Sequence, residues 1–345
     1  MRLREESSTV QVGPEADVVV SSRIRLARNL AGFPFVGRAS DAQRHEVLQM
    51  VTRAPLGQAF GSGLTWVNMA QTTPQERQLL VERHLVSRHF ADSTVPRTVG
   101  VDAEETLSVM VNEEDHLRIQ TILPGARLDE AFERARLFDQ EIESSIDFAF
   151  SARWGYLTAC PTNVGCGVRV GVMLHLPGLR YTGEMERVKR AAKDMHLAMR
   201  GFYGEGSEAV GNFYQVSNQL TLGFSEDDLL RRFTQETVPQ LVEYERTARR
   251  MLAESNRALL EDKVFRAAAT LRAARLLGSE EATKLLANIR LGICMELIPD
   301  ISLELVQRLL LQVQPAHLAR IDATATDDDK GRIARASLVR RALRS

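Results

Sequence analysis

Four short stretches of this sequence collect residue types that do chemistry rather than packing. Ser21-Ser22-Arg23-Ile24-Arg25 sets two arginines two positions apart. In a strand, where side chains alternate, both project from one face, and paired guanidinium forks on one face suit a polyphosphate. Asn112-Glu113-Glu114-Asp115-His116-Leu117-Arg118 gathers three carboxylates and an arginine, a like-charge cluster that is unfavourable unless a cation or a function compensates. Cys160-Pro161-Thr162-Asn163 leads through a glycine-containing turn to Arg169, and Arg200-Gly201-Phe202-Tyr203-Gly204-Glu205-Gly206-Ser207-Glu208 is a glycine-rich loop with two carboxylates. The Walker pattern G-x-x-x-x-G-K-[ST] occurs nowhere, so phosphates would have to be held by arginines.

The surrounding pattern says how these stretches are positioned. Val18 to Arg25 reads as a strand, and Leu107–Val111 and Leu117–Ile122 read as two strands with the acidic cluster at their hairpin end. Val168, Val170, Val172, Leu174 and Leu176 share one apolar face of a further strand, so Arg169 points the other way. Thr73-Pro74-Gln75-Glu76 combines an N-cap, a first-position proline and a third-position glutamate, which predicts a helix that carries His84. Leu128, Phe132, Ala135, Phe138, Ile142 and Ile146 form a helical stripe that packs on the sheet. Met185, Val188, Ala192, Met195 and Met199 form a second stripe, with Gly201 as its stop. This mixture is that of an α+β domain.

After about Ser225 the sequence becomes almost continuously helical, with breaks at Gly278-Ser279, Pro299-Asp300 and Pro315. Two domains are therefore expected, 1–245 and 246–345. In the tail, Asp327-Asp328-Asp329 reads as a loop, and the six basic residues between Lys330 and Arg344 read as a solvated helix face.

The chain has 345 residues, enough for about two domains at roughly 100–200 residues each. Lys and Arg number 44 against 45 Asp and Glu, a net charge of −1, so no global field draws the chain to nucleic acid or an anionic membrane. The start, Met1-Arg2-Leu3-Arg4-Glu5-Glu6-Ser7-Ser8, lacks the apolar core of a secretory signal, and no run is apolar enough to cross a bilayer. A cytoplasmic enzyme is the expectation. Cys160, Cys166 and Cys294 are too few for a disulfide framework and include no C-x-x-C pair, so cysteine enters only as a single reactive thiol.

In order and approximate spacing over residues 18–245, the four stretches resemble the catalytic domain of the phosphagen (guanidino) kinases. Tyr203-Gly204-Glu205-Gly206-Ser207-Glu208 and Ser217-Asn218-Gln219 are most similar to the bacterial protein-arginine kinases of the McsB type. Small-guanidine kinases carry a helical domain before the catalytic one, whereas here the extra helices follow. The resemblance implies a phosphagen-kinase/glutamine-synthetase-like domain, an antiparallel sheet flanked by helices, followed by an all-helical regulatory or dimerisation domain. It implies ATP-dependent phosphorylation of arginine side chains in proteins, which marks them for Clp-type degradation or inactivates a stress repressor. A small-guanidine kinase and a non-catalytic regulator-binding protein are the alternatives.

The resemblance also carries roles residue by residue. Arg23, Arg25, Arg118, Arg169 and Arg200 would grip the phosphates of ATP, with Mg²⁺ held through those phosphates and no metal ligand from the protein. Ser21, Ser22, Ile24, Val170, Gly171, Val172, Met173, Gly201, Phe202, Tyr203, Gly204 and Glu205 would accompany them at the nucleotide, and His84 would line its pocket. Glu114 and Glu205 would hold the acceptor guanidinium, with Glu208 the competitor of Glu205, and Cys160 would lie beside it. The implied partners are proteins with exposed arginines, an activator subunit, a Clp ATPase–protease and a second copy of the chain; nucleic acid and membrane are not among them. One departure stands out: the family's phosphoarginine-sensing Arg-Asp-x-x-Arg-Ala is here Gly331-Arg332-Ile333-Ala334-Arg335-Ala336, with only the Arg335-Ala336 half retained.

Overall fold

The chain's first long strand, β1 (Val19–Arg28), runs down the middle of a sheet, with Ser22, Ile24 and Leu26, every second residue, small or apolar and buried. The computed structural model describes residue 4 and residues 7–61, 63–201, 209–325 and 328–344. Within them the remaining strands are β2 (Thr65–Asn68), β3 (Thr98–Val101), β4 (Leu107–Val111), β5 (Leu117–Pro124), the short hairpin β6 (Phe150–Ser151) and β7 (Gly155–Tyr156), β8 (Val168–His175), β9 (Leu197–Arg200) and β10 (Phe213–Asn218). Eight of these form one antiparallel sheet in the order β2-β3-β4-β5-β1-β8-β10-β9.

The helices are α1 (Asp41–Arg53), α2 (Pro74–Glu82), α3 (Arg88–Asp92), α4 (Leu128–Glu143), α5 (Pro177–Tyr181), α6 (Met185–Asp194), α7 (Glu226–Arg232), α8 (Val238–Ser255), α9 (Arg257–Ala273), α10 (Ser279–Cys294), α11 (Leu303–Gln312), α12 (Pro315–Ile321) and α13 (Asp328–Ala342). Strand alternation divides the sheet into two unlike faces. On one, Ile24, Leu26, Val168, Val170, Val172 and Leu174 pack with Leu128, Ala131, Phe132, Ala135, Phe138 and Ile142 of α4 into the main core. Burying each such large side chain is worth about 1.5–3 kcal/mol. The other face carries the arginines.

Several local expectations are met and several are not. Thr73 caps α2 in a capping box with Glu76, and Pro74 takes the first position. That helix ends at Glu82, however, so His84 lies beyond it, in a turn where its φ is 58°. The stripe from Met185 to Met199 is also broken. α6 ends at Asp194, His196 turns the chain through a left-handed conformation, and Met199 and Arg200 belong to the edge strand β9, which pairs with β10. The apolar spacing of that segment fits a helix only because a short edge strand happens to continue the same residue pattern.

The boundary expected at 245/246 falls inside the single helix α8, and the chain breaks at Asn256 before α9. The helices from α9 onward share a second core that includes Val264, Leu271, Leu286, Ile289, Val306, Leu309 and Val339. Asp327 lies outside the described residues, and α13 already begins at Asp328, so Asp329 belongs to its first turn rather than to a loop. Arg335 does not belong to a solvated face: it is buried and donates to the carbonyls of Val313 (2.7 Å) and Leu277 (2.9 Å), pinning α13 to its neighbours. Fully buried Arg290 of α10 ties this helical region to the sheet through Asp17 O (3.0 Å), Ala16 O and His175 Nδ1 (2.8 Å).

Candidate active site

Register explains why arginines far apart in sequence meet. Arg25 of β1 lies directly opposite Arg169 of β8, Arg118 of β5 lies opposite Ala27, and Arg200 of β9 lies opposite Gln215 of β10. Arg25, Arg118, Arg169 and Arg200 line one cleft of about 420 Å³, together with Glu114, Cys160 and Asn163. Arg23, two residues along β1, lines an adjoining smaller pocket of about 80 Å³ with Ser21, His84 and Met173.

The cations of this cleft work against one another. Burial, then Arg23, Arg118, Arg169 and Arg200, push the Arg25 guanidinium well below its ordinary range, and its Nε is sealed from solvent with no hydrogen-bond partner among the described residues. Burial and then Arg118 push Arg23 down to about 9. Arg169 is lowered by burial, Arg200 and Arg118, and its Nη2 donates to Asn163 Oδ1 at 3.1 Å. Converging, partly desolvated like charges mark a site shaped for a ligand of the opposite sign.

The three acids of the hairpin, indistinguishable in sequence, take three different places. Burial by itself would raise the Glu113 carboxyl; Arg118 at 2.7 Å and the Ser87 hydroxyl at 2.6 Å outweigh it and hold the group at about 2. Asp115 is buried, which raises its carboxyl, and it accepts from Ala159 N and Asn29 Nδ2, each at 2.6 Å. That bond ties the hairpin to the loop of Cys160. Glu114 is exposed, and its carboxylate has no hydrogen-bond partner among the described residues. So one acid orients an arginine, one fixes a loop and one is presented to the cleft.

A pH prediction follows from Glu113. Its folded value is depressed from an ordinary 4.5 to about 2, so its stabilisation is fully present above pH 4.5 and is lost as pH falls through 2. Glu113→Gln is expected to lower stability at pH 7 and to flatten the loss of stability between pH 4.5 and pH 2, read by urea unfolding across that range. An unchanged acid profile would remove the pairing from the account.

Cys160 is half-buried, with Sγ 3.0 Å from Thr162 Oγ1, in a loop held by Thr221 Oγ1 through the carbonyls of Thr162 (3.0 Å) and Val164 (2.7 Å). Burial raises the Cys166 thiol, and all three cysteines are free. His84 is pushed down to about 3 by burial and then Arg23, so its ring is neutral at physiological pH.

Not every residue of the four stretches faces the cleft. Ser22, Ile24, Val170 and Val172 point to the opposite face; Ile24, Val170 and Val172 are core, and Ser22 Oγ donates to Gly125 O and accepts from Arg127 N, both at 2.8 Å. Gly171 lies opposite Arg23, where a side chain would strike Val216 O at 2.8 Å. Gly201 lines a separate cleft that Arg200 also borders. Phe202, Tyr203, Gly204, Glu205 and Glu208 lie outside the described residues. Sequence reasoning did not single out Gln120, although strand parity with Arg118 places it on the same face and Arg23 Nε donates to its Oε1 at 2.8 Å.

A family model described as ATP:guanido phosphotransferase, C-terminal catalytic domain, matches residues 47–248. One described as the protein-arginine kinase McsB C-terminal domain matches residues 257–345. A protein-arginine kinase of Brevibacillus brevis is 43% identical over 334 residues, 96% of this chain and 93% of its own. Another, of Moorella thermoacetica, is 46% identical over 310 residues, 89% of this chain and 88% of its own. The duplicated taurocyamine kinase of Schistosoma mansoni with bound transition state analog components superposes with a TM-score of 0.63 at 26% identity, over 72% of this chain and 36% of that one. Lombricine kinase superposes at 0.58 and 28% identity, over 68% of each chain. The antiparallel sheet and the helices that flank it are thus those of a guanidino phosphotransferase, and the chain belongs to the protein-arginine kinase family. No helix among the described residues is long and apolar enough to cross a membrane.

Proposed function

We propose that this kinase transfers the γ-phosphoryl group of ATP in line to a guanidinium nitrogen of an arginine side chain in a protein. The observation that carries the reading is the self-repelling cluster around Arg25, whose Nε is sealed and has no partner among the described residues, facing the exposed carboxylate of Glu114. Arg25, Arg118, Arg169 and Arg200, with Arg23 beside them, hold the phosphates. Ser21, His84 and Met173 face the rest of the nucleotide.

An arginine guanidinium has a pKa above about 12 and is a poor nucleophile until a carboxylate orients it and a base takes a proton from it. Glu114 holds the acceptor, and Glu205, or its competitor Glu208, is the second carboxylate. As the N–P bond forms, the bond from the γ-phosphorus to the bridging oxygen breaks, ADP leaves, and the proton passes from nitrogen to carboxylate. Fixed guanidiniums spread the charge of the migrating group without reorganising. Cys160 stands beside the acceptor.

Glu113 and Asp115 also line the cleft but are engaged by Arg118 and Ser87 and by Ala159 N and Asn29, and among the described residues no group of three or more His, Cys, Asp or Glu is placed to hold a metal. Mg²⁺ would ride on the phosphate oxygens and supply further charge neutralisation there. The wider roles, marking proteins for a Clp-type protease or disabling a repressor, with an activator subunit, in a cytoplasmic homodimer whose C-terminal helices regulate or dimerise, belong to the same proposal.

The test is acceptor identity. Incubated with ATP, Mg²⁺ and an unfolded protein, the enzyme should yield acid-labile phosphoarginine on the protein. Product on free arginine alone would make it a small-guanidine kinase, and no turnover with stoichiometric partner binding would make it a silent binding module.

A further inference from the structure

Arg23 differs from an ordinary buried arginine in what holds it. Among the described residues its guanidinium makes two hydrogen bonds, from Nε at 2.8 Å and from Nη2, and both go to Gln120 Oε1, a neutral amide. A carboxylate there would fix the side chain but consume its charge; an amide fixes it and leaves the charge for a phosphate. Gln120 is itself fully determined. It is buried, its oxygen faces only donors, and its Nε2 donates to His84 O at 2.6 Å and to Ser108 Oγ at 3.3 Å.

The His84 carbonyl sits where Gln120 can reach it only because the chain takes a left-handed turn there, with φ 58°, a conformation uncommon for a residue other than glycine and kept only where the surroundings enforce it. The turn itself is closed locally, by His84 N on Val81 O at 2.9 Å and Leu85 N on Leu80 O at 3.0 Å, and the helical region holds the two residues that lead into it. Glu82 accepts from Ala316 N (2.9 Å), His317 N (3.0 Å) and His317 Nδ1 (2.8 Å) at the start of α12. Arg83 Nε donates to His317 Nε2 at 3.2 Å, and its Nη1 grips both oxygens of Glu105 at 2.6 and 2.8 Å. Glu82, Arg83, Glu105, Gln120 and His317 are all buried.

We propose that Gln120 is a positioning residue for Arg23 and that α12 of the helical region sets it, through Glu82, Arg83 and the His84 carbonyl. The proposal rests on the reading of Arg23 as a phosphate ligand. It makes the affinity for ATP depend on a contact between α2 and α12 at the wall of the pocket that Arg23 and His84 line.

Steady-state kinetics on the full chain, with thermal unfolding as the fold control, tests this. Gln120→Leu removes both links and is expected to raise KM for ATP roughly tenfold, the scale of a lost hydrogen bond to a charged group. KM for the protein acceptor should not move. Glu82→Ala should raise KM for ATP about fivefold alone and add nothing in the Gln120→Leu background, because both act through one chain of bonds. If Glu82→Ala does not fold, His317→Phe breaks the same contact and takes its place. Multiplying effects in the double variant, or an unchanged KM for ATP in Gln120→Leu, would overturn the relay. If Arg169→Ala still weakens ATP binding in that case, only the relay falls; if it does not, the reading of the arginine cleft falls with it.

Discussion

Glu114→Gln is expected to lower kcat by roughly 10²–10⁴, the range for loss of a positioned acid or base, while KM for ATP changes by less than about threefold. The substitution keeps the shape of the side chain and removes only its charge. Folding should be indifferent to it, since Glu114 is exposed and its carboxylate holds no other group among the described residues. Its neighbours behave differently: Glu113 is spent on Arg118 and Ser87, and Asp115 on Ala159 N and Asn29. The same change at Asp115 should cost stability and misplace the Cys160 loop. Equal loss of kcat and ATP affinity in Glu114→Gln, or a fall in Tm, would mean that this carboxylate is structural.

Arg169→Ala should act on the other substrate. Arg169 is central in the cleft, opposite Arg25 and anchored at its tip by Asn163, so its loss should weaken ATP binding on the order of 10²-fold, as for other fixed donors at a transferring group. The same variant should be no less stable without nucleotide, and its Tm should rise, because it removes one charge from a cluster in which burial, Arg200 and Arg118 already depress it. The stabilisation that ATP gives the native enzyme, about 2.7 kcal/mol at a hundred times Kd, should shrink accordingly. Calorimetry of ATP binding and melting curves with and without ATP separate these outcomes. Unaltered affinity would refute the assignment of Arg169.

The sequence made the site legible where strand parity did the geometric work. Arg23 and Arg25, two apart, share a face, and the alternation from Val168 to Leu176 sends Arg169 to that same face, as the sheet bears out. Parity is a local property, so it survives without knowledge of the partner strands. What parity could not supply was the register that brings Arg118 and Arg200 alongside, or the sorting of Glu113, Glu114 and Asp115, which depends on Ser87, Asn29 and Ala159 from distant segments. The run from Met185 to Met199 misled because helix and strand periods coincide over so short a span, and the edge strand is fixed by pairing with β10. Arg335 read as solvated because charge in a basic tail usually is; carbonyls of Val313 and Leu277, far along the chain, take its protons instead.

The account's central claim is that guanidiniums from four strands converge on one triphosphate while Glu114 presents the nitrogen that attacks it. A crystal structure of the enzyme with ADP, Mg²⁺, a planar anion in place of the migrating phosphoryl group and an arginine peptide tests it most directly. The account predicts the anion against Arg118, Arg169 and Arg200, the ADP phosphates against Arg23 and Arg25, and the peptide guanidinium on the Glu114 carboxylate. Nucleotide bound away from the arginine face, or a guanidinium held elsewhere than at Glu114, would contradict it.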